Sequence, residues 1–122
     1  MEPVRSSRNP RVAEAIKLRR ARRRAETRRT LLEGPHLLEE AVAAEADLET
    51  VFVCVDDDTS MRLIAGVGIE TIQVTAGVMG KVAGTQNPRG PVAIMVVPPD
   101  RPAIDGSVIF SYGVGDPGNA GT

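Results

Sequence analysis

Short apolar runs alternate with stretches of helical period along the whole chain. Asn9-Pro10 predicts a helix from 10 to about 26, with Asn as N-cap and Pro at the first helical position, where its missing N–H costs nothing. The apolar positions of that helix, Val12, Ala13, Ile16, Ala21 and Ala25, make a thin stripe, so it is anchored along one edge and shows arginine elsewhere. Thr30–Glu33 reads as a short strand, and Gly34-Pro35 opens a helix from about 36 to 45 with His36 in its first turn. Glu49–Val55 is a buried strand, and Asp56-Asp57-Asp58 turns it into a helix near 59–65. Those carboxylates suit free N–H groups and the positive end of a helix dipole better than a metal. Glu70–Val74 is a third strand, Thr75 caps a short helix through Val82, and Gly84–Gly90 leads to a fourth strand, Pro91–Val97. Strands and helices of this size in alternation predict an α/β sandwich with a largely parallel sheet. Pro98, Pro99 and Pro102, with Asp100, Arg101 and Asp105, read as a linker before a new strand at Ser107–Phe110. The expected division is therefore a domain over 1–97, a linker over 98–106 and a second segment over 107–122.

The length of 122 residues, with 42% hydrophobic and 2% aromatic side chains, allows one domain and part of another, with a core built from Val, Ala, Leu and Ile. Phe52, Phe110 and Tyr112 leave little for stacking bases, which argues against modules built on aromatic platforms. The single Cys54 forms no intrachain disulfide and sits in an apolar run as a small hydrophobe. With the lone His36 it assembles no zinc site without carboxylate help, so no metal site is expected. A reducing, cytoplasmic setting follows as the expectation, with no membrane span, since no apolar stretch approaches the roughly 18 residues that one needs.

Charge changes the picture more than composition does. Residues 1–30 carry eleven Lys or Arg against Glu2, Glu14 and Glu26, while the remainder holds four bases and thirteen acids. A basic arm on an acidic body suits a polyanionic partner. The helix almost lacks the balancing Glu at i,i+4 that a merely solvated charged face would include. Arg8, Arg11, Arg19, Arg20, Arg23 and Arg24 are accordingly candidate contacts to RNA or DNA phosphates. In the loop Gly84–Gly90, Gln86, Asn87 and Arg89 suit phosphates and base edges, though a glycine and proline loop of this length needs no ligand.

At the other end, Gly113-x-Gly115-x-x-Gly118 fits a dinucleotide fingerprint, but that motif needs a helix opening at its last glycine and an acidic residue about 20 positions on. Only four residues follow Gly118, and Asp116-Pro117-Gly118 reads as well as a plain turn. A nucleotide-cofactor enzyme built on these glycines should fail a titration with NAD or S-adenosylmethionine.

Three segments together resemble the SpoU/TrmH family of S-adenosylmethionine-dependent RNA 2′-O-ribose methyltransferases. They are Ser7-Arg8-Asn9-Pro10 with the basic helix, Leu32-Glu33-Gly34-Pro35-His36-Leu37-Leu38-Glu39-Glu40-Ala41, and Gly115-Asp116-Pro117-Gly118-Asn119-Ala120-Gly121-Thr122. The last is the most specific, since it resembles the first motif of the family's catalytic domain. The resemblance implies that residues 1–97 form a substrate-binding domain, an α/β three-layer sandwich similar to kink-turn-binding ribosomal proteins. It implies that 107–122 begin a truncated, knotted SPOUT domain. It adds Asn9, Glu33 and Gly34 to the RNA-binding candidates and places Asn119 at the catalytic site, beside an arginine expected beyond Thr122. The cofactor-binding motifs of the family are absent from these residues. The implied partner is rRNA or tRNA, and the implied cofactor, S-adenosylmethionine, belongs to a longer, homodimeric parent. The 122-residue chain alone is then expected to bind RNA and not to methylate it. A stand-alone RNA-binding protein of ribosomal type is the alternative, and it leaves the DPGN-x-GT ending unexplained.

Overall fold

A computed structural model of the chain describes residues 3–83 and 89–98. Its elements, in order, are α1 Pro10–Lys17, α2 Ala21–Thr27, β1 Arg29–Glu33, α3 Pro35–Ala43, β2 Leu48–Cys54, α4 Asp58–Ile64, β3 Glu70–Val74, α5 Ala76–Val82 and β4 Val92–Val96. The expected domain boundary near 98, the linker and the strand at 107–110 lie outside the described residues.

The four strands form one sheet in the order β1-β4-β2-β3. Only β2 and β3 are parallel, with Thr50 opposite Glu70 and Cys54 opposite Val74. Strand β4 lies between β1 and β2 and runs antiparallel to both, pairing Val92 with Glu33 on one side and with Phe52 on the other. The expectation of a largely parallel sheet is thus corrected to a mixed one. An apolar run reports that a strand is covered on both faces, but it carries no record of the strand's direction.

Successive residues of each strand face opposite layers. Phe52, Val74, Val92 and Ile94 pack against Val12, Ala15 and Leu18 beside α1 and against Val78, Met79 and Val82 of α5. Leu32, Val51, Val53, Ala93 and Met95 pack on the other face, against Leu38 and Ala41 of α3 and Ile64 of α4. Helices therefore cover both faces of the sheet. Phe52, Leu18, Leu38 and Met79 are the largest fully buried side chains, each contributing on the order of 1.5–3 kcal/mol of transfer free energy.

The helix starts follow the expected caps. Asn9 Oδ1 accepts from the N–H of Arg11 at 2.9 Å, Asp57 Oδ1 from Ser60 N at 3.1 Å, and Thr75 Oγ1 from Val78 N at 3.3 Å. The expected helix over 10–26 is instead two helices. The chain tightens after Lys17, where Arg19 N donates to Ile16 O and Arg20 N to Lys17 O, and Arg20 is extended at φ −92°, ψ 130°. Ala15 and the wholly buried Leu18 take the anchoring role expected of Ala21 and Ala25, which are exposed. Helix α2 buries no side chain at all.

Candidate nucleic-acid interface

With no apolar face to hold it, α2 is fixed by guanidinium groups. Arg24 Nη1 donates to the carbonyls of Leu18 at 3.0 Å and Arg19 at 2.9 Å, bridging α2 back to the turn that ends α1. Arg23 Nη2 meets Glu14 Oε1 at 3.2 Å. Arg28, in the left-handed region at φ 56°, ends α2 and donates from Nη2 to Pro98 O at 2.8 Å. Arg19 Nη1 reaches the last turn of α5 and donates to Ala83 O at 2.8 Å and Lys81 O at 3.4 Å, a cation at the negative end of that helix. The fork of an arginine suits such bridges, since two donors diverge from one rigid plane.

These bonds change the account of the basic face. Arg22 Nε lies 3.5 Å from Glu26 Oε2 at i,i+4, so a balancing glutamate is present where almost none was expected. Arg11 pairs with Glu70 at 3.3 Å across the α1 and β3 layers. Arg29 grips Glu49 through Nε and Nη2, the closest contact being 2.8 Å. Those hydrogen bonds raise the Arg29 pKa and hold the Glu49 carboxyl below its ordinary range. By contrast, the side chains of Arg8, Lys17, Arg20 and Lys81 are exposed and make no hydrogen bond or ion pair among the described residues. Lys81 went unnoticed in the sequence, since it stands some 60 residues from the arm between Gly80 and Val82. The packing of α1 beside α5 on one face of the sheet, together with the contact of Arg19, brings it to the basic face.

A second group of candidates meets at the other edge of the sheet's connections. Gly34 takes φ 103°, a conformation that favours glycine, and its N–H donates to Pro91 O at 2.8 Å. This joins the turn between β1 and α3 to the chain entering β4, beside Glu33 at the end of β1. A cleft of about 330 Å³ opens there, lined in part by Pro35, Cys54, Asp57, Ser60, Arg89 and Pro91. Arg89 lies 3.2 Å from Asp56 at its rim. Cys54 Sγ is 3.5 Å from Arg89 O, and burial pushes its thiol pKa up, so it is a packing group and a poor nucleophile. His36 is on the α3 surface, 3.3 Å from Glu40.

The structure therefore places Arg8, Asn9, Arg11, Arg19, Arg20, Arg23 and Arg24 on and around the two-helix arm, Arg89 at the cleft, and Glu33 and Gly34 in the turn that leads to Pro35 of the cleft lining. Asn9 serves as a helix cap. Gln86, Asn87 and Asn119 lie outside the described residues. Among the described residues, no cluster of three or more His, Cys, Asp or Glu is arranged to hold a metal, and no helix is long and apolar enough to cross a membrane.

Comparison with known proteins gives this geometry its context. The whole chain is 29% identical to the 23S rRNA (guanosine(2553)-2′-O)-methyltransferase RlmP of Bacillus subtilis, covering 48% of that protein. It therefore spans about half the length of the curated relative that it matches. A crystal structure described as an RNA 2′-O ribose methyltransferase superposes with a TM-score of 0.67 at 26% identity, over 82% of this chain and 39% of that one. An rRNA methyltransferase from Sinorhizobium meliloti, solved also with AdoMet bound, shares the fold with a TM-score of 0.64 at 23% identity, over 80% of this chain and 37% of its own. These relatives bear out the SpoU-type methyltransferase resemblance carried by the three motifs. Residues 9–93 match the MRM3-like substrate-binding domain, and the chain belongs to that family.

Proposed function

We propose that this chain recognises RNA on behalf of an S-adenosylmethionine-dependent 2′-O-ribose methyltransferase that acts on rRNA or tRNA. The observation that carries the proposal is the basic arm. It is folded by arginine-to-backbone bonds, yet leaves Arg8, Lys17 and Arg20 exposed and, among the described residues, unpaired on a domain of the substrate-binding family. Cations without internal partners release counterions when they meet phosphates, which supplies sequence-independent affinity. In this reading Arg19, Arg23 and Arg24 hold the arm in shape, Arg8, Arg11 and Arg20 face phosphates, Glu33, Gly34 and Arg89 offer a second contact surface, and Gln86 and Asn87 are candidate contacts by residue type alone.

The finer parts of the proposal follow the motifs. Helices on both faces of the mixed sheet support the likeness to kink-turn-binding ribosomal proteins. Asp116–Thr122 would open a SPOUT domain with Asn119 at its catalytic site, in a longer protein that works as a homodimer in the cytoplasm. The described residues do not fit the cofactor. At the cleft, Arg89 lies against Asp56 and Asp57 accepts from the Ser60 hydroxyl, so both of its charged groups already have protein partners. Methyl transfer also needs the donor carbon in line with the ribose hydroxyl and a group to relieve the hydroxyl of its proton, and the described residues present no such arrangement.

A fluorescence anisotropy titration of the 122-residue chain on an rRNA fragment tests the proposal. The affinity should fall linearly on a log–log plot against salt, and neutralising Arg8, Lys17 and Arg20 together should flatten the slope by about 3. Affinity that is independent of salt, or a slope that survives the change, would refute it. Incubation with S-adenosylmethionine should leave the RNA ribose unlabelled, and labelling by this chain alone would overturn the division of labour.

A further inference from the structure

Resting on that RNA-binding reading, we propose that Lys17, Arg20 and Lys81 form a single docking ridge for the phosphates of double-helical RNA. Lys17 and Arg20 flank the tight turn after α1, where Arg20 N donates to Lys17 O at 3.1 Å. Arg19, between them in sequence, has its guanidinium anchored on the carbonyls of Lys81 and Ala83. Together with the packing of α1 beside α5, that bridge holds the turn against the last turn of α5 and brings three exposed cations, unpaired among the described residues, from two distant segments to one junction.

Two features favour a duplex over a single strand. First, the cations are carried by fixed elements, since Leu18 beside Lys17 is wholly buried and Val82 beside Lys81 likewise. Fixed charges match a rigid row of phosphates without ordering a flexible chain, and a duplex has the higher charge density, with more counterions to release. Second, tight single-strand binding relies on rings for bases to stack on. Phe52, the one Phe, Tyr or Trp among the described residues, is fully buried. The exposed His36 belongs to α3, which packs on the opposite face of the sheet from α1 and α5. The ridge thus offers phosphate contacts and no base-stacking platform, which is how double-helical RNA is held through its shape and backbone.

The test is a pair of anisotropy titrations of the 122-residue chain at matched salt, one with a 16-base-pair RNA duplex and one with an unstructured single strand of equal length. The duplex should bind about tenfold more tightly or better. K17E, R20E and K81E combined should abolish that preference and lower the duplex salt slope by about 3, whereas R62E on α4 should leave both unchanged. Because all three positions are exposed, circular dichroism should show the native fold in the triple variant, and the neutral variants K17Q, R20Q and K81Q should weaken duplex binding in the same order. Equal or tighter binding of the single strand would overturn the ridge while leaving RNA recognition standing. Binding of neither RNA at low salt would overturn both.

Discussion

Replacing Arg24 with methionine separates an arginine that builds the arm from one that contacts a ligand. Methionine keeps an apolar stem but has no N–H, so it cannot bridge the carbonyls of Leu18 and Arg19, which Arg24 reaches through Nη1 at 3.0 and 2.9 Å. Both bonds involve a charged donor, and such bonds are worth about 1.5–3 kcal/mol when well shielded. One of them is solvent-exposed, so about 1–2 kcal/mol for the pair is the sounder figure. Since α2 buries no side chain, that loss falls on α2 alone and hardly touches the sheet. The amide of Arg28, which donates to Arg24 O at 2.8 Å, reports the opening. Native-state hydrogen exchange at that amide should speed up by about 5–30-fold, while Val53 in the middle of β2 keeps its protection. Unchanged exchange at Arg28, or an equal loss of protection in β2, would refute the claim that Arg24 holds the arm.

Other expectations follow from single contacts. Gly34→Ala places a side chain at φ 103° and should cost about 1–3 kcal/mol, read as a lowered melting temperature. Arg29 holds the Glu49 pKa down by hydrogen bonding, so the unfolded chain takes up this proton more readily than the folded one. The pair's contribution is therefore complete above the ordinary glutamate range and fades as the pH falls through and below it. Urea midpoints from pH 6 to pH 3 should drop less steeply in Glu49→Gln than in the parent chain, by under about 1 kcal/mol because the pair is about one-third exposed. Cys54, 6% exposed and with its thiol pKa raised by burial, should resist iodoacetamide at neutral pH until the protein is unfolded.

What the sequence made legible was local. Asn9, Asp57 and Thr75 cap the helices they were expected to cap, because a cap is a contact within three residues and both partners stand side by side in the chain. The four strands also lie where the apolar runs placed them. The path of β4 between β1 and β2 was hidden, since Val92–Met95 is buried on both faces and would look the same in either direction. The break after Lys17 was hidden for another reason. The arginines that stabilise it bond to carbonyls of Leu18, Arg19, Lys81 and Ala83, and a carbonyl acceptor leaves no mark on residue type. The partner of Arg23 is Glu14, nine residues away, beyond the spacing of a helical ion pair. Hence the count of arginines was right while their division into structural and exposed groups was not visible.

The central claim is that RNA is met by the folded arm and the end of α5. Backbone amide shifts of the isotope-labelled chain, followed by NMR while structured RNA is added, test it most directly. The account predicts that the largest shifts fall on Lys17–Arg22 and Lys81–Ala83, with smaller ones at Gly34 and Arg89 and none over the later turns of α3 and α4. Shifts confined to α3 and α4, with the arm silent, would contradict it.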